Sequence, residues 1–301
     1  MQMWTPVFAC PSCRATVARV DHAWVCAACD TRFEQRGGVH CFLTAGRLAA
    51  ASGFISHYRG VRRADGHAAT AAARFARLPE VSADDPNAGE WRIRQQSFQT
   101  FLARVWGNGA TPLRVLDVGA GNGWLSHRMA ALGARPVAVD LDDDDQDGLR
   151  VAERAAASMA LVQADFDALP FLPGQFDAVV LNASLHYAPD PDQTLLEADR
   201  MVAPGGALVV MDSPMFVHET DGAAMNEQQA AARAASAAGG AAVRPGVGFL
   251  TFDRLRDAAS RLNRRSQFVP SHGPLGWRVR RAWSRRRLGR APAAFGVWVA
   301  R

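Results

Sequence analysis

Five strand-sized apolar runs in the second half of the chain constrain its fold more than any other feature. They start at residue 113 and recur every 20 to 30 residues or so, with the sequences LRVLDVG, RPVAVDL, MALVQAD, FDAVVLNA and GALVVMD. Segments with a helical pattern separate them, such as 124–132 and 193–201. A strand that is apolar along its whole length is buried on both faces, and helices between such strands are typical of a parallel sheet. We therefore expect an α/β fold with a doubly wound, mostly parallel sheet.

Four of the five cysteines form two closely spaced pairs near the N-terminus. Cys10 and Cys13 are followed, after 12 intervening residues, by Cys26 and Cys29. Each pair can present two thiolates to one ion, and two pairs complete the tetrahedral site of a structural zinc ion. Disulfide bonds fit poorly with a chain that has no recognisable export signal, and two equally spaced copies argue against a redox motif. We expect these four cysteines to bind a structural Zn²⁺ within a zinc ribbon over residues 1–45.

A glycine loop follows the first apolar run and precedes a helical segment. After Asp117 the sequence reads Val-Gly-Ala-Gly-Asn-Gly, which gives the spacing Gly119-x-Gly121-x-Gly123. Glycines at such a turn let the backbone bend sharply and approach a ligand closely. A nicotinamide dinucleotide site would need its third glycine at the position of Trp124. The spacing here is therefore that of a different nucleotide-binding loop.

This loop, with an acid two residues before its first glycine, resembles motif I of the class I S-adenosylmethionine (SAM) methyltransferases, specifically those with a type 11 methyltransferase domain. The phrases GAGNGWLS and NASLHYAPD are also similar to bacterial methyltransferases that carry an N-terminal zinc ribbon. The resemblance implies a Rossmann-like domain with a seven-stranded sheet over residues 107–301. Within it, residues 213–250 are rich in alanine and glycine, as expected for a lid insertion or for a poorly ordered surface segment. Residues 46–106 are helical in pattern and are expected to form a helical cap that contributes to the active site.

The resemblance places the cofactor at the ends of successive strands. Asp140 ends the second apolar run, where a carboxylate can accept hydrogen bonds from both ribose hydroxyls. In the family, an acid after the third strand faces the adenine amino group, and the residue after the fourth lines the methionine and sulfonium. At any one aspartate, the structural alternative is a helix N-cap. The expected cofactor-binding residues are Asp117, Gly119, Ala120, Gly121, Asn122, Gly123, Asp140, Leu141, Asp165, Phe166 and Asn182.

The methyl acceptor is expected beside the fourth strand. His186 and Tyr187 follow that strand directly, so His186 is a candidate base or acceptor-positioning residue and Tyr187 a candidate for orienting the acceptor. The alternative is a histidine satisfied by the loop backbone and a tyrosine that only packs. Ligands of open parallel sheets lie over the carboxyl ends of the strands. Residues before the first strand and after the fifth should cover the acceptor, and the candidates are Tyr58, Trp91, Arg94, Met215, His218 and Glu219.

The basic residues are unevenly distributed along the chain. Residues 254–301 contain 13 arginines and a single acid, Asp257, although the whole chain has a net charge of only +5. Such a cationic region can hold an anionic partner, so RNA is a candidate partner through the C-terminal region. A compositional bias of the genome toward arginine is the alternative explanation.

These observations favour a SAM-dependent methyltransferase that acts on a small metabolite, a natural product or a surface-glycan precursor. An RNA base methyltransferase with a zinc ribbon and a non-catalytic, regulatory SAM-binding protein are the alternatives. With 49% hydrophobic and 21% charged residues the chain is not a mainly disordered or fibrous protein. Its apolar runs fall short of the ~20 residues of a membrane span, and residues 1–10 do not resemble a secretory signal, so a cytoplasmic protein is expected.

Overall fold

The computed structural model describes residues 4–64, 72–107, 112–154, 159–234, 246–271 and 286–301. Its strands fall into an N-terminal group of short strands and a later group of longer, mostly buried ones. The strands are β1 (Val17–Val20), β2 (Ala23–Cys26), β3 (Arg32–Arg36), β4 (Val39–Cys41), β5 (Arg114–Val118), β6 (Arg135–Asp140), β7 (Ala160–Gln163), β8 (Phe176–Asn182), β9 (Val202–Met211), β10 (Met215–Phe216), β11 (Leu250–Thr251), β12 (Ser266–Pro270) and β13 (Gly296–Ala300).

The helices lie between the two groups of strands and between the strands of the second group. They are α1 (Ala45–Ala64), α2 (Ala72–Phe75), α3 (Ala88–Phe101), α4 (Trp124–Ala131), α5 (Leu149–Arg154), α6 (Pro191–Met201), α7 (Glu219–Ala234) and α8 (Phe252–Arg261). A π-helical turn, Leu102–Trp106, continues α3, and a 3₁₀ turn, Leu185–Tyr187, follows β8. No helix among the described residues combines the length and apolar character needed to cross a lipid bilayer.

The longer strands form a seven-stranded sheet in the order β7-β6-β5-β8-β9-β13-β12. The pairs from β7 to β9 are parallel, and β13 and β12 add antiparallel strands at one edge. The predicted fold, mostly parallel and seven-stranded, is therefore confirmed. From β5 the chain turns first toward β6 and β7 and later toward β8 and β9. The reversal opens a crevice between the carboxyl ends of β5 and β8, where ligands of such sheets bind.

The N-terminal strands extend this sheet instead of forming a separate one. β1 to β4 pair antiparallel in chain order, and β4 then pairs parallel with β7, with Val39 opposite Leu161 and Cys41 opposite Gln163. The Phe42 N–H continues the ladder by donating to the Gln163 carbonyl at 2.8 Å. The result is one continuous sheet of 11 strands in the described residues. The pairing covers an edge of the parallel sheet that would otherwise expose unpaired backbone groups.

Aromatic side chains fill the junction between the ribbon and the seven-stranded sheet. Phe8 is 2% exposed, and its ring lies 4.9 Å from the Phe42 ring and 5.5 Å from the Phe171 ring, centroid to centroid. Trp24 contacts Phe8 at 4.7 Å, and its indole N–H donates to His40 Nδ1 at 3.1 Å. The ribbon and the parallel sheet therefore share a hydrophobic core.

The region between the ribbon and β5 contains α1, α2 and α3, as its helical pattern predicts. Part of the alanine-rich stretch 67–77 lies outside the described residues. After β9, α7 and the two-stranded parallel pair of β10 and β11 account for most of the predicted lid insertion. Residues 235–245 of that insertion lie outside the described residues, so a lid remains a proposal.

Candidate functional site

The glycine loop connects β5 to α4 at the carboxyl edge of the sheet. Gly119, Gly121 and Gly123 have φ angles of +74°, +56° and +77°, the left-handed region that glycine adopts without strain. A Cβ on Gly119 would lie 2.4 Å from the Cβ of Ser184, which begins the segment after β8. Only a glycine therefore lets the loop approach the neighbouring strand end so closely.

Asp140 lies at the end of β6 and faces the glycine loop. One carboxylate oxygen accepts a hydrogen bond from the Gly121 N–H at 2.7 Å, and the other accepts one from the Asp142 N–H at 2.8 Å. Burial raises the pKa of Asp140 to about 6, although the hydrogen bonds from the two backbone N–H groups act in the opposite direction and lower it. The carboxylate stands where ribose hydroxyls are expected, and its oxygens have lone pairs for further donors.

An apolar slot lies beside Asp140, between the sheet edge and α1. From the sheet side it is lined by Leu141 and Phe166, and from α1 by Phe54, Ile55 and Tyr58. The slot has a volume of about 50 Å³, so α1 has to move outward before a flat aromatic ring fits between these apolar walls.

Ion pairs hold α1 over the slot. Arg47 donates to Asp165 at 3.1 Å, and the Arg59 Nε donates to both carboxylate oxygens of Asp142 at 3.1 and 3.0 Å. Asp165, the expected adenine-facing acid, is therefore already in contact with a guanidinium of the cap.

A larger cavity of about 540 Å³ continues from the slot over the glycine loop. Its walls come from the carboxyl ends of β5, β8 and β9 and from α1 and α3. Four of the residues that line it have a buried polar atom with no hydrogen-bond partner among the described residues, and these atoms are Trp91 Nε1, Arg94 Nε, Asn182 Oδ1 and Asp212 Oδ2. Unpaired buried polar atoms are costly, so their convergence in one cavity indicates a ligand that supplies both donors and acceptors.

His186 and Tyr187 lie in the 3₁₀ turn after β8 and line this cavity. The Nδ1 of His186 lies 3.2 Å from the Ser213 hydroxyl, and burial lowers the pKa of His186 to about 3. The imidazole is therefore neutral at pH 7 but is a weak proton acceptor. Tyr187 contacts the Tyr58 ring at 5.5 Å, so it joins the sheet edge to the cap.

Asp212 is a site residue that the sequence interpretation missed. It follows β9 with a left-handed φ of +51°, and one of its carboxylate oxygens accepts a hydrogen bond from the Ser97 hydroxyl of α3. Burial raises its pKa to about 6. The signal was present in the sequence, because Asp212 ends the fifth apolar run just as Asp140 ends the second.

Asp117 lies within β5, fully buried beneath the glycine loop. One oxygen accepts a hydrogen bond from the Ser126 hydroxyl at 2.9 Å, while the other, Oδ1, has no partner among the described residues. Burial raises the pKa of Asp117 to about 7. Asp117 lines neither the slot nor the larger cavity, so it acts from beneath the loop.

The residues present fit SAM. An apolar slot beside Asp140 suits an adenosine, the glycine loop permits close backbone approach, and the Asn182 Oδ1 on the cavity wall, which has no partner among the described residues, suits an ammonium or sulfonium group. Ala120 and Asn122 lie on the cavity wall at the same loop. Eight of the eleven expected cofactor residues line the slot or the larger cavity, whereas Asp117, Gly123 and Asp165 line neither.

The four N-terminal cysteines converge at one end of the ribbon. The sulfur–sulfur distances are 3.7 Å for Cys10–Cys29, 3.4 Å for Cys13–Cys26 and 3.7 Å for Cys13–Cys29. A tetrahedron of thiolates at the usual Zn–S distance of about 2.3 Å has sulfurs about 3.8 Å apart. The geometry therefore fits a zinc ion, and four protein ligands leave no position for a substrate. The fifth cysteine, Cys41, lies apart and accepts a hydrogen bond from Arg36 at 3.1 Å.

Some of the arginines expected to attract RNA form ion pairs within the chain. In α8 and the turn after it, Arg254 and Arg261 pair with Asp192 of α6 at 3.2 and 2.6 Å, and Arg264 pairs with Asp199. Four further arginines fall in residues 272–285, outside the described residues. The described part of the C-terminal region therefore uses these charges to hold α8 against α6.

Comparison with known proteins assigns the central part of the chain to a domain family. Residues 116–210 match the methyltransferase domain family. The chain is 38% identical over 115 residues to a demethylmenaquinone methyltransferase of Renibacterium salmoninarum, covering 38% of this chain and 46% of that protein. It is 32% identical over 130 residues to a ubiquinone biosynthesis O-methyltransferase of a Caulobacter strain, covering 39% and 48%. The chain thus spans about half the length of the curated relatives it matches.

A solved structure shows the same fold at low identity. The magnesium protoporphyrin IX methyltransferase of Synechocystis, crystallised with S-adenosylhomocysteine (SAH), superimposes with a TM-score of 0.51 at 13% identity, over 84% of this chain and 97% of that one. Together with the matched family, this likeness identifies the seven-stranded sheet as a methyltransferase fold.

We predict that the purified protein contains one zinc ion per chain, because four converging thiolates bind Zn²⁺ tightly. Metal analysis of the protein and of two serine variants tests this. Cys29→Ser should lose most of the metal, whereas Cys41→Ser, which alters a thiol outside the cluster, should keep it. A metal-free native protein, or full metal content in Cys29→Ser, would contradict the assignment.

We also predict that SAH affinity falls as the pH drops below about 6. An ionised Asp140 accepts hydrogen bonds from ribose hydroxyls, and protonation removes that capacity, so Kd should rise by up to about tenfold per pH unit below the pKa. Titration calorimetry between pH 5 and 8 measures the effect. Asp140→Asn, which cannot ionise, should bind more weakly at pH 8 and lack the inflection near pH 6. An unchanged inflection in that variant would assign the titration to another group.

Proposed function

We propose that this chain, whose residues 116–210 form a methyltransferase domain, transfers a methyl group from SAM to a small-molecule acceptor. One observation carries the proposal. The apolar slot beside Asp140 shares Tyr58, Gly119 and Tyr187 of its lining with a cavity of about 540 Å³ at the glycine loop. The slot suits the cofactor's adenosine, and the cavity, which lies in the usual size range of small-molecule sites, suits the methionine part together with an acceptor.

The relatives support a small acceptor. One is named as a demethylmenaquinone methyltransferase and another as a ubiquinone biosynthesis O-methyltransferase. The cavity walls support it as well, because aromatic side chains from Tyr58, Trp91, Tyr187 and Phe295 enclose it. These walls favour a planar or partly apolar acceptor over a polymer that must lie across an open surface.

When bound, SAM supplies an electrophilic methyl group activated by its positively charged sulfur. The protein then has to align the acceptor with that methyl group and exclude water. Asp140 and the slot would fix the nucleoside, and the glycine loop and Asn182 would fix the methionine part. Arg94 of α3 pairs with Glu90 through Nη2, and its Nε, which has no partner among the described residues, is placed to bind a carboxylate of the cofactor or the acceptor. His186 would position the acceptor through the imidazole nitrogen that does not face Ser213.

Asp212 is the better candidate for accepting a proton from a hydroxyl acceptor. Its Oδ2 at the cavity wall has no partner in the described part of the chain, and its pKa of about 6 leaves it ionised at neutral pH. His186, with a pKa of about 3, is the weaker base of the two. The Ser97 hydroxyl, hydrogen-bonded to Asp212 and 2.7 Å from the Ser271 hydroxyl, holds the carboxylate in place.

Isothermal titration with SAH tests the cofactor part of this proposal. We expect the full chain to bind SAH and Asp140→Ala to bind it at least about tenfold more weakly, as the loss of hydrogen bonds to a charged acceptor predicts. Asp145→Ala, which removes an exposed acid from the same acidic segment, is the matched control and should bind normally. Absence of SAH binding by the unaltered chain would refute the proposed function.

Asp212→Asn tests the proton acceptor. With the low-molecular-weight fraction of a cell extract as the acceptor source, SAH release should fall by about 10²- to 10³-fold, the usual contribution of a general base. Affinity for SAH should stay unchanged. At saturating SAM, where the titration of Asp140 no longer affects the rate, the rate of the unaltered protein should rise with pH and level off above about 6, and the variant should lack this step. If His186→Asn loses more activity than Asp212→Asn and removes the step instead, His186 is the base.

A further inference from the structure

The loop that follows β7 joins the expected cofactor pocket to the zinc ribbon. We call residues 164–172 the β7–β8 loop. Its first part carries Asp165 and Phe166, of which Phe166 lines the apolar slot. Its second part runs along the ribbon, where the Ala9 N–H donates to the Pro170 carbonyl at 2.9 Å and the Leu172 N–H donates to the Val7 carbonyl at 3.1 Å. One short loop therefore touches both sites.

A buried carboxylate on α6 holds the middle of this loop. Glu197 is 4% exposed, and one of its oxygens accepts a hydrogen bond from the Leu169 N–H at 2.8 Å. Arg200 donates to both oxygens of Glu197 and also to the carbonyls of Leu169 and Phe171, at 3.2 and 2.9 Å. A buried carboxylate needs such donors, because leaving it unpaired in the interior would be costly.

The remaining donor to Glu197 comes from the ribbon. Arg14 forms a two-pronged pair with it, at 2.7 and 3.2 Å, and donates to the Leu169 carbonyl at 3.3 Å. Arg14 directly follows Cys13, has a left-handed φ of +66°, and donates its own N–H to the Cys10 carbonyl at 2.9 Å. The turn that holds two of the zinc-binding cysteines therefore also fixes the direction of Arg14.

Inside the loop, the clamped part is coupled to the cofactor-facing part by a tight turn. The Ala168 N–H donates to the Asp165 carbonyl at 3.0 Å, directly before Leu169. A shift of Leu169 would therefore move Asp165 and Phe166. Bidentate arginine–carboxylate pairs are geometrically specific, so the pair sets a position as well as adding stability.

We propose that Arg14 and Glu197 are positioning residues for the adenine of the cofactor, through which the zinc ribbon sets cofactor affinity and base selectivity. This inference rests on the proposed function. It assigns the ribbon a role in the reaction site although none of the four cysteines lines the cavity. The role is mechanical, because the Arg14–Glu197 pair holds the β7–β8 loop, whose Phe166 lines the slot and whose Asp165, paired with Arg47 at 3.1 Å, is the acid expected to face the adenine amino group.

The test is calorimetric titration of the full, zinc-loaded chain with SAH and with S-inosylhomocysteine, which carries a carbonyl in place of the adenine amino group. The unaltered protein should prefer SAH, because a carboxylate accepts from the amino group and repels a carbonyl oxygen. In Arg14→Gln, Kd for SAH should rise by about tenfold, equivalent to about 1.4 kcal/mol, and the preference for SAH should shrink. Arg14 is 43% exposed, so the substitution should leave the fold intact.

Arg19→Gln is the matched control. Arg19 is a ribbon arginine that donates to Gln35 at 3.0 Å within the ribbon. Arg19→Gln should leave the affinities for SAH and for S-inosylhomocysteine unchanged. Metal analysis should show full zinc content in Arg14→Gln and in Arg19→Gln. A merely structural role for Arg14 would lower thermal stability without altering the ratio of the two affinities.

Three outcomes would contradict the inference, and they distinguish its failure from that of the proposed function. If the unaltered chain binds neither ligand, the proposed function fails and this inference fails with it. If it binds SAH but Arg14→Gln retains the same affinity and preference, the inference alone is overturned. If the unaltered chain binds SAH and S-inosylhomocysteine equally well, the inference is also overturned, because the β7–β8 loop would then not distinguish the adenine amino group from a carbonyl group.

Discussion

Backbone pairing between β4 and β7 is the interaction on which the rest of this structure depends. It makes the zinc ribbon an extension of the methyltransferase sheet, so the ribbon cannot move independently of the strand that leads into the β7–β8 loop. It also determines where α1 begins, because that helix starts four residues after β4 and has to cross the carboxyl edge of the sheet. The cover of the cofactor slot, the position of the β7–β8 loop and the protection of the sheet edge thus all follow from three paired residues.

Burial is the second organising principle of the site. Asp117, Asp140 and Asp212 belong to three different strands, and burial raises the pKa of each of them toward neutrality. In water such acids would ionise near pH 4. When they are buried, desolvation disfavours their ionised form, and a nearby cation can offset this cost. The buried acids favour a cationic group, whereas Arg62 and Arg94 on the wall of the same cavity favour an anionic one. Stability of the unliganded chain is correspondingly limited by the buried acids.

Much of this could be predicted from sequence because it depends on local rules. Apolar runs between helices predict the parallel sheet, and the paired cysteines predict their own convergence. The position of Asp140 at the end of a strand predicts that it lies in the site. The same rule, applied to the fifth apolar run, would have identified Asp212. The joining of β4 to β7 could not be predicted, since it pairs residues about 120 positions apart with no distinctive side chain. The low pKa of His186 depends on burial by several elements at once, and the partners of Arg14 lie more than 150 residues away.

The ion pairs that hold α1 over the apolar slot have a consequence for kinetics. Arg47, Arg59 and Arg62 of α1 pair with Asp165, Asp142 and Asp147 along the sheet edge, and the ring of Tyr58 closes the space between them. A nucleoside entering from this side has to wait until several of these pairs open together. Ionic strength, which screens partly exposed pairs, would then alter the residence time of the bound molecule more than its equilibrium occupancy.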